Sequence, residues 1–122
     1  MITRFRAEEE RGPDGIRVIS PKGELDLHTA PRLAAAIERA IAEDGSVIVI
    51  DLAACEFIDS TGVALLVRSW QRHDASSGDG GTGRLVLCAP SAQVRRLLEI
   101  TGVDSTIPAY DDRESALAEL TG

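Results

Sequence analysis

Side chains suited to catalysis are scarce in this sequence. Its 122 residues include four aromatics (Phe5, Phe57, Trp70 and Tyr110), two cysteines, two histidines and one lysine, Lys22. With so few aromatic rings, the core must be built from Ile, Leu, Val and Ala. Cys55 and Cys88 lie far apart, and no Cys-x-x-Cys or His-x-x-x-His pair exists. The roughly four closely spaced ligands of a structural zinc are therefore missing, and both thiols read as small core residues. No apolar run approaches the ~20 residues of a membrane span. The charged residues 1–6 have no apolar stretch behind them, unlike a signal peptide, so a reducing, cytoplasmic location is expected. Positive charge is also short: 13 basic against 20 acidic residues give a net charge of −7. That argues against a nucleic-acid backbone, which needs a basic face, and against an anionic membrane surface. The balance favours a protein-binding module over an enzyme, with no metal or cofactor of its own.

What is present suits one domain spanning 1–122. Apolar residues make up 43% of the chain, enough for a core at a length typical of single domains. Residues 2–7 and 16–20 read as an antiparallel hairpin around Gly12-Pro13-Asp14-Gly15, with 8–11 as a loose charged loop. Gly23-Glu24-Leu25-Asp26 is a further short extended piece. Thr29 and Pro31 then open a helix whose stripe is Leu33, Ile37 and Ile41, ended by Gly45. Val47-Ile48-Val49-Ile50 is apolar on both faces, the mark of a central parallel strand. Val63, Leu66, Val67 and Trp70 fall at helical spacing after Asp59-Ser60-Thr61-Gly62. Residues 75–83 are small and polar, a linker loop. A strand at 84–89 precedes a helix opened by Pro90 and Ser91, carrying Val94, Leu97 and Leu98 and closed by Gly102. Residues 106–109 form a weak, edge-like strand, since proline cannot donate to a ladder. Asp111 or Asp112 caps a last helix. The pattern predicts an α/β architecture: a mixed, mostly parallel sheet of four to five strands flanked by about four helices.

Two enzyme-like patterns fail on context. Gly78-x-Gly80-x-x-Gly83 matches a dinucleotide fingerprint by letter. That motif needs a strand before it and a helix after it, whereas the order here is helix, loop, strand. Ser60 has no Gly-x-Ser-x-Gly elbow and no evident histidine to activate it. Asp59, Ser60 and Thr61 are ordinary helix-capping residues. A helix N-terminus also offers free amides and partial positive charge, so a phosphate on Ser60 would be accommodated without unfolding. It would place about −1.5 to −2 charges at one surface point.

Three stretches together resemble one family. Gly23-Glu24-Leu25-Asp26-Leu27-His28-Thr29-Ala30 is similar to an element of bacterial anti-sigma factor antagonists. Phe57-Ile58-Asp59-Ser60-Thr61-Gly62-Val63 resembles their phosphorylation motif, and Pro90-Ser91, Val94-Arg95-Arg96-Leu97-Leu98 and Thr101-Gly102-Val103 supply the third match. The family is the STAS domain. The resemblance implies partner switching: the unphosphorylated antagonist binds an anti-sigma factor and frees the sigma factor. The anti-sigma factor acts as a serine kinase on the antagonist, and a separate serine phosphatase resets it. ATP and metal belong to those partners. By the resemblance, Ser60 is the acceptor and Thr61 a minor alternative. Glu24, Asp26, Asp59, Ser60, Thr61 and Gly62 form the partner-binding surface. Residues 75–83 are longer than the family's connection there. The competing expectation is a non-switching STAS subunit of a transporter or signalling complex, in which Ser60 is only a helix cap.

Overall fold

A run of glutamates makes a poor strand unless each finds a partner, and here each does. In the computed structural model, which describes residues 4–43, 47–76 and 84–121, β1 spans Arg6–Arg11 and β2 spans Arg17–Leu25, paired antiparallel. Lys22 Nζ lies 2.8 Å from Glu8, Arg17 Nη1 2.7 Å from Glu9, and Arg113 Nη1 2.7 Å from Glu10. The charged stretch 8–11 is therefore strand, not the loose loop that its composition suggested. The turn at 12–15 falls where expected, with Asp14 and Gly15 at positive φ. The isolated extended piece at 23–26 is also corrected: residues 23–25 continue β2. Pro21 interrupts nothing because β2 changes parallel partner around it.

That change of partner organises the sheet. After α1 (Ala30–Ala42) come β3 (Val47–Asp51) and β4 (Cys55–Ile58). Residues 17–19 of β2 pair with β3, whereas 23–25 pair with β4. Next come α2 (Ser60–Ser76), β5 (Arg84–Cys88), α3 (Ala92–Thr101), β6 (Ala109–Tyr110) and α4 (Arg113–Thr121). The sheet order is β1-β2-β3-β5-β6, with β4 beside the end of β2, and all pairs but β1–β2 are parallel. Among the described residues the mixed sheet thus has six strands, above the four to five expected. The strand without a reading of its own is β4, and the edge strand expected at 106–109 is the two-residue β6 at Ala109–Tyr110. Gly45 and residues 77–83 lie outside the described residues, as do Gly78, Gly80 and Gly83 of the letter-for-letter fingerprint. Ala75 and Ser76, read as loop, complete α2.

The sheet is buried on both faces, as the Val47–Ile50 run requires. Ile48 and Ile50 point to one face, with Leu85 and Leu87, under Leu33 and Ile37 of α1, Leu66 of α2 and Val94 and Leu98 of α3. Val49, Val86 and Cys88 point to the other, under Ala116 of α4. Arg113 anchors α4 there: its Nε donates to Asp51 Oδ2 at 2.8 Å, and Nη2 to Ser20 Oγ at 3.3 Å. Both thiols are buried. Burial pushes the Cys55 thiol up to about 11. It pushes Cys88 up to about 12, helped by the Asp51 carboxylate. Among the described residues no helix is long and apolar enough to cross a membrane.

Candidate functional site

Parallel pairing of β2 with β4 brings together two motifs more than thirty residues apart. Glu24 pairs with Phe57 and Leu25 with Ile58, so Asp26 and Asp59 leave the sheet side by side. Asp59 N–H donates to Leu25 O at 3.1 Å, locking the two exits together. The register slips between Gly23 and Glu24. Gly23 sits there at φ 109°, a conformation glycine tolerates and side chains resist. The bulge sets how Glu24 and Leu25 face β4.

Beyond the strands, each aspartate organises a turn. Asp26 Oδ1 accepts from the backbone N–H of His28 at 2.9 Å and of Thr29 at 3.1 Å. Thr29 does precede α1, but its side chain does not cap it. Its hydroxyl instead donates to Glu24 O at 2.6 Å and accepts from Asp26 N–H at 2.9 Å. Desolvation pushes the Asp26 carboxyl upward, but the hydrogen bonds from Thr29 and His28 outweigh it and hold the group below its ordinary value. A carboxyl depressed in the folded state stabilises above its unfolded pKa, and that contribution is lost as pH falls through the folded one. Asp26→Asn keeps an acceptor oxygen without the titration. It is therefore expected to flatten the acid limb of stability, seen as a shallower fall of melting temperature below about pH 4 than in the wild type. An unchanged acid limb would remove Asp26 from that account.

Asp59 is the N-cap of α2. Its Oδ1 accepts from Gly62 N–H at 3.0 Å and its carbonyl from Val63 N–H at 3.0 Å. Ser60 is thus the first helical residue. It is exposed, and its hydroxyl makes no hydrogen bond among the described residues. Thr61 is half-buried and faces a groove with Leu27, Leu65 and Arg68. Gly62 is buried: a Cβ there would lie 2.8 Å from Ile58 Cγ1 and 2.9 Å from both Leu25 Cγ and Leu25 O. The backbone of α2 approaches both strands because that side chain is missing. Glu24 is exposed beside Phe57.

The surroundings of Ser60 are more apolar than its own residues. The exposed large hydrophobics among the described residues are Leu27 (65% exposed), Phe57 (44%) and Ile100 (72%). Leu27 lines the groove beside Thr61, and Phe57 and Ile100 line a second depression against α3. Ser60 follows directly on the strand that carries Phe57. Leu27 lies inside the 23–30 stretch without a role of its own, Ile100 lies outside all three stretches, and the one sequence hint for Ile100 is that it stands off the Val94–Leu98 stripe. Among the described residues no three His, Cys, Asp or Glu side chains gather to hold a metal.

Known proteins share this arrangement. The model of the STAS domain matches residues 9–116. The anti-sigma-F factor antagonist RsfB of Mycobacterium tuberculosis is 31% identical over 109 residues, 89% of this chain and 84% of that protein. An anti-sigma factor antagonist from Mycobacterium paratuberculosis superposes with a TM-score of 0.84 at 32% identity, covering 98% of this chain and 96% of that one. SpoIIAA in its unphosphorylated form gives a TM-score of 0.77 at 26% identity, covering 96% and 97%. In its phosphorylated form, from Bacillus, it gives 0.69 at 25%, covering 94% and 99%. The motif order, the β2–β4 register that joins two of the motifs, and the extent of these matches agree: this chain belongs to the STAS domain family.

Proposed function

We propose that this chain is a partner-switching anti-sigma factor antagonist of the cytoplasm, with Ser60 as its switch. Unphosphorylated, it docks an anti-sigma factor through the face around Ser60, and the sigma factor is released. The anti-sigma factor is also a serine kinase that phosphorylates Ser60 and so ends the docking. A serine phosphatase restores it. The chain contributes no chemistry beyond a hydroxyl, and ATP and metal come with its partners.

The observation that carries this reading is the state of Ser60. Its exposed hydroxyl is free of structural duty at the first position of a capped helix, between two apolar patches. Phosphate there meets the N-terminal amides of α2, which favour an anion. It also stands beside Asp59 and near the Asp26 turn in an acidic chain, so a docked partner meets new negative charge. Asp59 and Gly62 position the acceptor, Asp26 shapes the adjoining turn, and Glu24 and Thr61 face the partner. Thr61 is the poorer acceptor because it is half-buried in its groove.

The test uses the kinase-type anti-sigma factors encoded in the same genome, with ATP. The wild type is expected to take up one phosphate per chain, mapped to Ser60 by mass spectrometry. Ser60→Ala is expected to take up none while still binding. Stoichiometric phosphorylation of Ser60→Ala would move the acceptor elsewhere.

A further inference from the structure

We infer that the depression between β4 and α3 is a second docking point for the anti-sigma factor, receiving an apolar side chain of that partner with a neighbouring carboxylate against Arg96. The inference rests on the partner-switching reading above and extends it from the acceptor to what holds the partner in place.

Phe57 and Ile58 form one wall, and Val94, Leu97 and Ile100 of α3 the other, around about 220 Å³. That is below the ~300–1,000 Å³ of small-molecule pockets, so it suits a protruding side chain better than a metabolite. The inward stripe of α3 is Val94 and Leu98. Ile100 stands apart from it and is 72% exposed, so its side chain does little for the fold. Large aliphatic and aromatic groups clustered and left open in this way mark a contact surface.

Charge narrows the occupant. Arg95 is tied to Asp111 at 2.9 Å. Arg96, on the rim of the depression, is exposed and has no ion-pair partner among the described residues. An uncompensated guanidinium beside an apolar depression, in a chain of net charge −7, selects a carboxylate next to the apolar knob. Position names the partner. The depression begins at Phe57 and Ile58, which run straight into Asp59 and Ser60. Whatever seats on Phe57 is therefore adjacent to the acceptor. Two such points separate recognition from chemistry: the depression raises the occupancy of the complex, and Ser60 alone receives the phosphate.

The test is Ile100→Asp, at a position exposed enough for thermal unfolding to stay as in the wild type. Against the kinase-type anti-sigma factor that phosphorylates the wild type, Kd and the KM for phosphorylation are expected to rise on the order of tenfold. The kcat for Ser60 should hold within about twofold. Arg96→Glu is expected to raise both constants in the same direction. Unchanged Kd and KM in Ile100→Asp, with binding still lost in Ser60→Asp, would overturn the second docking point and leave partner switching standing. Binding retained in Ser60→Asp would overturn the partner-switching reading itself. If Ile100→Asp instead turns a sedimenting dimer into a monomer at unchanged kinase affinity, the occupant is a second copy and the inference fails.

Discussion

Ser60→Asp is expected to lose affinity for the anti-sigma factor on the order of a hundredfold and to melt at the wild-type temperature or slightly above it. The two halves of that result come from one location. An aspartate at the first helical position of α2 lies over unpaired amides and the positive end of the helix dipole, which favours the folded state by roughly 0.3–1 kcal/mol. No hydrogen bond is lost with the serine, whose hydroxyl makes none among the described residues. The fold therefore keeps its stability. The partner meets a new carboxylate beside Asp59 on a surface whose exposed large apolar groups are Leu27, Phe57 and Ile100. Desolvating that charge and placing it against groups arranged for a neutral hydroxyl costs several kcal/mol. Titration calorimetry gives the affinity, and scanning calorimetry gives the melt. A variant that binds as tightly as wild type would end the charge-switch account, and one that fails to fold would contradict the exposed placement of Ser60.

Gly62→Ala is expected to have the largest effect on stability of any single methyl added to this site. On an ordinary exposed helix the change would stabilise by roughly 1 kcal/mol, because alanine is the better helix former. Here the new methyl arrives within 3 Å of Leu25 Cγ, Leu25 O and Ile58 Cγ1. Side chains can turn aside, but the Leu25 carbonyl belongs to β2, and Leu25 O also accepts the Asp59 N–H. Overpacking of this kind costs about 1–3 kcal/mol, and a backbone contact places the cost at the upper end. A net loss of about 2 kcal/mol is expected, or roughly 6–10 °C of melting temperature at this chain length. The methyl also pushes the start of α2 away from the strands, so Ser60 shifts with it. The fraction that stays folded should then bind and accept phosphate less well than wild type. A wild-type melt would show that the helix start yields at no cost, and Gly62 would lose its role in setting the acceptor.

Much of this could be read from residue order. Val47-Ile48-Val49-Ile50 announced a strand buried on both faces, and the alternation of Ile48 and Ile50 with Val49 is how it serves two cores. Ser91 caps α3 through a bond to Val94 N–H, and Asp112 caps α4 through Ser115 N–H. Such caps are legible because they act over three residues. Pairings over long range were not. Glu8, Glu9 and Glu10 look like a solvated loop until Lys22, Arg17 and Arg113 are placed opposite them, and Arg113 lies more than a hundred residues from Glu10. Residues 16–20 and 23–26 read as separate extended pieces, because no local rule reveals a strand that exchanges one parallel neighbour for another. At the site, the motif letters located Ser60 and its neighbours. The exposed Leu27 and Ile100 around it emerged only once α1 and α3 had found their faces.

The two deeply placed thiols bear on how such a molecule would learn of its surroundings. With pKa values raised to about 11 and about 12, at most on the order of one thiol in ten thousand is a thiolate at neutral pH. Peroxide and electrophiles act on thiolates, so burial and the raised pKa values make Cys55 and Cys88 poor targets. The same low reactivity makes the protein a convenient reporter: a cysteine introduced at an exposed position would be the reactive one, and a dye attached there would follow docking without disturbing the core.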